Sequence, residues 1–113
     1  MNRRYAILSS RTNEHIAVLS YNEIDKTFSI CVREDIEANK LPFFFRLYAE
    51  NGIRQLNHKI AFSWVRPRIC PPSRHNIRDI LRVHGLKEYD EMSLLKLTKG
   101  ICGLDDLYIE EMH

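Results

Sequence analysis

Residues Trp64 to Ile109 read WVRPRICPPSRHNIRDILRVHGLKEYDEMSLLKLTKGICGLDDLYI, and this stretch decides the fold. Pro67 ends or kinks the helix that carries Trp64. Pro71-Pro72 then forces an extended turn, because proline fixes φ and disfavours helical backbone in the residue before it. A helix starts at Ser73 or Asn76 as N-cap, carries Ile77, Ile80, Leu81 and His84, and stops at Gly85, the residue type that takes a left-handed cap without penalty. Another opens near Asp90, carries Met92, Leu94, Leu95 and Leu97, and ends at Gly100. Leu107 to Glu111 (LYIEE) reads as a closing strand.

Upstream, RYAILS (residues 4–9), HIAVLS (15–20) and TFSICVR (27–33) are short, rich in β-branched and aromatic residues, and separated by polar segments with Asn13 and Asn22-Glu23. They predict a β-meander. Phe28, Ile30 and Val32 alternate with Ser29, Cys31 and Arg33, the pattern of a sheet with one buried face. The cover for that face begins with a helix over Leu41 to Ala49, with Pro42 in its first turn, an apolar stripe of Phe43, Phe44, Leu47 and Tyr48, and Gly52 placed to stop it. A second helix from about Asn57 to Val65 places Ile60, Ala61, Trp64 and Val65 on one side. The expectation is an α+β fold, a small antiparallel sheet of three to four strands packed against about four helices. It forms a single domain over residues 1–113, with a β-meander at 4–33, a helical region at 41–100 and the closing strand at 106–111.

A chain of 113 residues can bury a core without staples. Seventeen Lys+Arg against fifteen Asp+Glu leave a net charge of +2, far from the balance of a dedicated nucleic-acid binder. The basic residues nevertheless concentrate at Arg66, Arg68, Arg74, Arg78 and Arg82, and the carboxylates at Asp105, Asp106, Glu110 and Glu111. Three cysteines, Cys31, Cys70 and Cys102, match no disulfide scaffold, and MNRRYAILSS lacks the apolar run of a signal peptide. A reducing, cytoplasmic setting is expected. The longest apolar stretch, Leu41 to Phe45, falls far short of the roughly 20 residues that span a bilayer, so no membrane association is expected.

Candidate chemistry weighs against catalysis. Cys70, His75, His84 and Cys102 could be assembled into a zinc site, but the Cys-to-His spacing is loose and no Cys-x-x-Cys pair anchors it. The same residues offer a Cys/His nucleophile pair without any mark of an oxyanion hole. Cys31, on its alternating strand, reads as a small buried hydrophobe. Asp105-Asp106 and Glu110-Glu111 are adjacent, so on a strand each pair points to opposite faces and reads as solvated edge charge. Gly52, Gly85, Gly100 and Gly103 are helix stops or turns rather than a phosphate loop. No catalytic residue, metal or cofactor is expected.

Two surfaces could bind a partner. Arg74, Arg78 and Arg82 form a basic face on the third helix, where a helix-turn-helix could be drawn from Asn76 to Thr98, although the connection from His84 to Asp90 is longer than that motif's turn. Trp64, the single tryptophan, stands beside Arg66 and Arg68. It reads first as a packing residue, but tryptophan and arginine are also the residues in which binding hot spots are enriched.

In order and spacing the chain resembles the N-terminal subdomain of HipA-type serine/threonine kinases. As a free-standing chain it is similar to the HipS-like small subunits of three-part bacterial toxin-antitoxin systems. The hairpin strands match at Ala17-Val18-Leu19 and Phe28-Ser29-Ile30. The proline turn and the motif after it match at Pro71-Pro72 and Arg78-Asp79-Ile80-Leu81. Leu94-Leu95, Gly100 and Leu107-Tyr108-Ile109 complete the series. Departures are Cys70 before the proline turn, Ala17 for the hairpin glycine, and Asp106-Leu107 where a Gly-Ala usually opens the last strand. The resemblance implies a subdomain without ATP-binding or catalytic residues, acting as an antitoxin that binds and inhibits a HipA-like kinase encoded nearby, with Trp64, Arg66 and Arg68 as candidate partner contacts. A nucleic-acid-binding regulator using Arg74, Arg78 and Arg82 is the alternative, and an uncovered docking face leaves a homodimer possible.

Overall fold

A computed structural model describes residues 2–69, 76–87, 89–103 and 105–112. Its described elements follow the order β1 (Asn2–Ser9), β2 (His15–Asn22), β3 (Thr27–Val32), α1 (Phe43–Ala49), β4 (Gln55–Leu56), α2 (His58–Val65), α3 (Ile77–Val83), α4 (Glu91–Thr98) and β5 (Leu107–Glu111). The strands form one antiparallel sheet in the order β4-β3-β2-β1-β5. The α+β class stands, with one strand more than the sequence announced.

The meander forms because each strand carries a period-two apolar face and each connection supplies a residue able to take positive φ, Asn13 in the first and Lys26 in the second. Asn22 also closes the second turn by accepting from the backbone N–H groups of Ile24 and Asp25. Tyr5, Ile7, Leu19, Tyr21, Phe28, Ile30 and Val32 point into the core. The register slips where Ile7 faces Ala17 and Leu8 faces His15, leaving Ile16 as an extra residue. That bulge lets both Ile16 and Ala17 be buried, although they are adjacent.

The closing strand returns to the far edge of the meander, pairing Ile7 with Ile109 and Ser9 with Leu107. Gly100 makes this return possible. It has φ +73°, and a Cβ there would stand 3.3 Å from Cγ2 of Ile109. Lys99 before it is also left-handed, and its carbonyl accepts from the Ile109 N–H at 2.8 Å. The opposite edge carries β4, only two residues long, which pairs Leu56 with Ile30 and Gln55 with Cys31. Beyond it the N–H of Phe28 donates to His58 Nδ1 at 2.9 Å, so a side chain from α2 finishes the open end of β3.

The helices lie close to their expected positions, but two faces are corrected. On α1 the buried residues are Phe45 and Ala49, while Phe43 and Leu47 of the expected stripe are exposed. Cys31 is exposed too, because it takes the outward phase of β3. Asn57 caps α2 by accepting from the Ile60 N–H, and Asp90 caps α4 through Ser93 N–H. Met92, Leu94 and Leu95 are buried and Leu97 is exposed. No residue of α3 is buried. Cys70, Pro71-Pro72, Ser73, Arg74 and His75 lie outside the described residues.

Candidate functional site

Helix α2 puts Ala61, Trp64 and Val65 on its inner side, and a 3-10 turn over Arg66–Arg68 then redirects the chain at Pro67. Trp64 is only 2% exposed, its ring 6.3 Å from that of Phe45. The aromatic anchor expected at a partner surface is therefore corrected: the i, i+4 spacing that carries Ala61 and Val65 inward takes Trp64 with them. Arg68 is buried as well, at 4% exposure, with its guanidinium stacked on the indole. Arg66 alone of the three is exposed.

The buried guanidinium of Arg68 reaches the segment between α4 and β5. It donates to Cys102 Sγ at 3.1 Å and forms an ion pair with Asp105, while the Arg68 carbonyl accepts from Thr98 Oγ1 at 3.3 Å. Burial pushes the proton affinity of Arg68 below its ordinary value, and the charge of Asp105 and the Cys102 thiol work against that loss. The ion pair corrects the reading of Asp105 as solvated edge charge. Asp106 turns the other way, bridged by Arg11 at 3.3 Å. This cluster ties α2 to the closing strand rather than opening toward solvent.

The remaining candidates stand apart. His84 is exposed at the end of α3, and Cys102 is half-buried against Arg68. Cys70 and His75, the other members of the zinc and nucleophile groupings, lie outside the described residues, as does Arg74 of the basic face. Among the described residues no three His, Cys, Asp or Glu side chains gather as metal ligands. Arg78 and Arg82 are exposed one turn apart on α3, so the described part of the basic face faces solvent. No helix among the described residues is long and apolar enough to cross a membrane.

No protein-family model, no curated protein and no solved structure matches the chain. The site is therefore read from its own geometry.

That geometry singles out α1, whose apolar stripe the sequence assigns to covering the sheet. Its sequence is FFFRLYA, apolar at every position but Arg46. A helix that is apolar all round belongs in an interior. Here Phe45 stacks toward Trp64 and Phe44 packs edge-on against Phe45, yet Phe43 is 68% exposed and Leu47, one turn on, 49% exposed. The signal was present in the run of apolar residues, but a periodicity search asks which face is apolar and α1 has no polar face to contrast.

Proposed function

We propose that the chain is a noncatalytic protein-binding module, a HipS-like subunit that docks on a HipA-family serine/threonine kinase and inhibits it in trans. The observation that carries the docking role is helix α1, apolar but for Arg46, with Phe43 and Leu47 left to solvent, a surface suited to burial against a second protein. The partner class comes from the resemblance. It is supported by the order of its motifs along the fold: β2 and β3 pair as the hairpin, Leu94 and Leu95 are buried on α4, and Gly100 lets the closing strand return. A cytoplasmic setting goes with that role.

Co-purification with the HipA-type kinase encoded beside this chain tests the proposal, with kinase autophosphorylation read in the presence and absence of the chain. A stoichiometric complex with suppressed autophosphorylation is expected. Failure to form a complex overturns the reading. Arg78 and Arg82 on α3 favour nucleic acid as the second reading, which would show itself as affinity falling steeply with salt.

A further inference from the structure

Beside the N-terminal turn of α1 lies an open groove of about 670 Å³, bordered by the β1–β2 turn and by the segment after α4. Ile36 and Phe43 give it apolar walls. Of its three carboxylates, Asp106 is matched by Arg11 and Asp105 by Arg68, while Glu14 is exposed and has no ion pair among the described residues. Arg46 is the half-buried cation of the groove. It lines the same groove without an ion-pair partner among the described residues, and its guanidinium makes one long bond, 3.4 Å, to the Leu41 carbonyl. Its Nε is buried without an acceptor among the described residues. A guanidinium offers five N–H donors in a planar fork that matches a carboxylate, so most of this fork is unfilled.

We propose that this groove receives a segment of a partner protein that lays apolar side chains against Phe43 and, past the groove and one turn along α1, against Leu47, and brings a carboxylate to Arg46. The proposal rests on the docking reading above and assigns it a face and a recognition chemistry. Two observations select this occupant. Exposed Phe43 and Leu47 call for apolar cover, and Arg46 is the groove cation without an ion pair among the described residues, Arg11 being paired with Asp106 and Lys40 with Glu37, so the group its fork lacks is an acid. A small anion would satisfy Arg46 and leave Phe43 and Leu47 exposed, whereas a protein segment covers all three. Aromatic and arginine side chains side by side are also the pairing that dominates binding energy at protein interfaces.

The experiment has two arms on the full chain. In the first, a random peptide library displayed on phage is selected against the wild type and counter-screened on the Phe43→Ser/Leu47→Ser variant. Enriched peptides are expected to combine Phe, Leu or Trp with Asp or Glu and to lose binding to the variant by about 30-fold or more. Arg46→Glu should give a comparable loss and Arg46→Lys a smaller one, because lysine keeps the charge without the fork. Enrichment of basic peptides, binding indifferent to these substitutions, or no enrichment at all overturns the proposal. So does sedimentation showing a wild-type dimer that the double variant converts to monomer, since the occupant would then be a second copy.

In the second arm the same variants are titrated against the kinase. If the wild type binds and the variants bind equally, the face is wrong and the docking role stands. If the wild type does not bind the kinase, the kinase reading falls and the peptide arm alone decides the groove. Phe43 and Leu47 are exposed, so the Phe43→Ser/Leu47→Ser variant should melt within a few degrees of the wild type. Lys59→Glu on the exposed side of α2 serves as a surface control expected to change neither arm.

Discussion

The guanidinium carbon of Arg68 lies 3.8 Å from the centroid of the Trp64 ring. The same guanidinium holds Asp105 and Cys102, so one buried cation joins the end of α2 to the segment that leads into β5. A charge placed over an indole and paired with a carboxylate is compensated twice, which is how it can be buried.

Trp64→Ala should destabilise the fold by about 3–5 kcal/mol, the range for emptying a large aromatic site. Chemical denaturation measures it. Trp64→Phe should cost less and leave partner binding intact once the protein is folded. A folded Trp64→Phe protein that has lost its partner would place the indole at the interface and contradict its burial.

Asp105→Ala leaves the Arg68 guanidinium buried without its carboxylate, and a loss of about 3 kcal/mol is expected from the usual penalty for breaking one side of a buried pair. The double variant Arg68→Met/Asp105→Ala should recover part of that loss, because no uncompensated charge remains. Comparing the two by urea denaturation separates the cost of stranding the cation from the worth of the pair.

Gly100→Ala should cost about 1–2 kcal/mol from its left-handed backbone alone. The new methyl would also press on Ile109 at 3.3 Å, so the damage should concentrate in the β1–β5 pairing. Amide hydrogen exchange at Tyr108 and Glu110, which face β1, is the measurement. Unchanged protection there would contradict the role given to this glycine.

Tyr21 is buried, and burial together with the negative charges of Asp90 and Glu91 raises the pKa of its phenol. A raised folded-state pKa means that the unfolded chain gives up this proton first. The contribution to stability is therefore whole below the ordinary tyrosine value of about 10 and is lost as pH rises from there through the folded value. Tyr21→Phe removes the titrating group, so its alkaline loss of Tm above pH about 10 should be shallower than that of the wild type. Parallel alkaline limbs would show that Tyr21 does not contribute.

Much of this fold could be read from the chain because its signals are local. Phe28, Ile30 and Val32 declare a one-sided strand by alternation, Asn57 and Asp90 mark helix starts, and Gly100 marks a stop. The two-residue strand β4 was not legible, since Gln55-Leu56 has no period to detect and pairs only because α2 brings it beside β3. The bulge at Ile16 was hidden for a related reason: a slip in register is a relation between strands.

The candidate site divides along the same line. The sequence by itself determined the element types, the apolar character of α1 and the concentration of arginines after Trp64, because propensity, capping and periodicity act within a few residues of chain. Only the tertiary structure decided which of those residues meet. It buried Trp64 and Arg68 against Phe45, Cys102 and Asp105, more than thirty positions away along the chain in the last two cases, and it left Phe43 and Leu47 exposed with Arg46 half-buried between them. Burial depends on what packs opposite a residue, and a helix apolar at every position but Arg46 has more than one face it can turn inward. The choice between core and exposed surface in α1 was therefore made by the sheet and by α2, not by α1 itself.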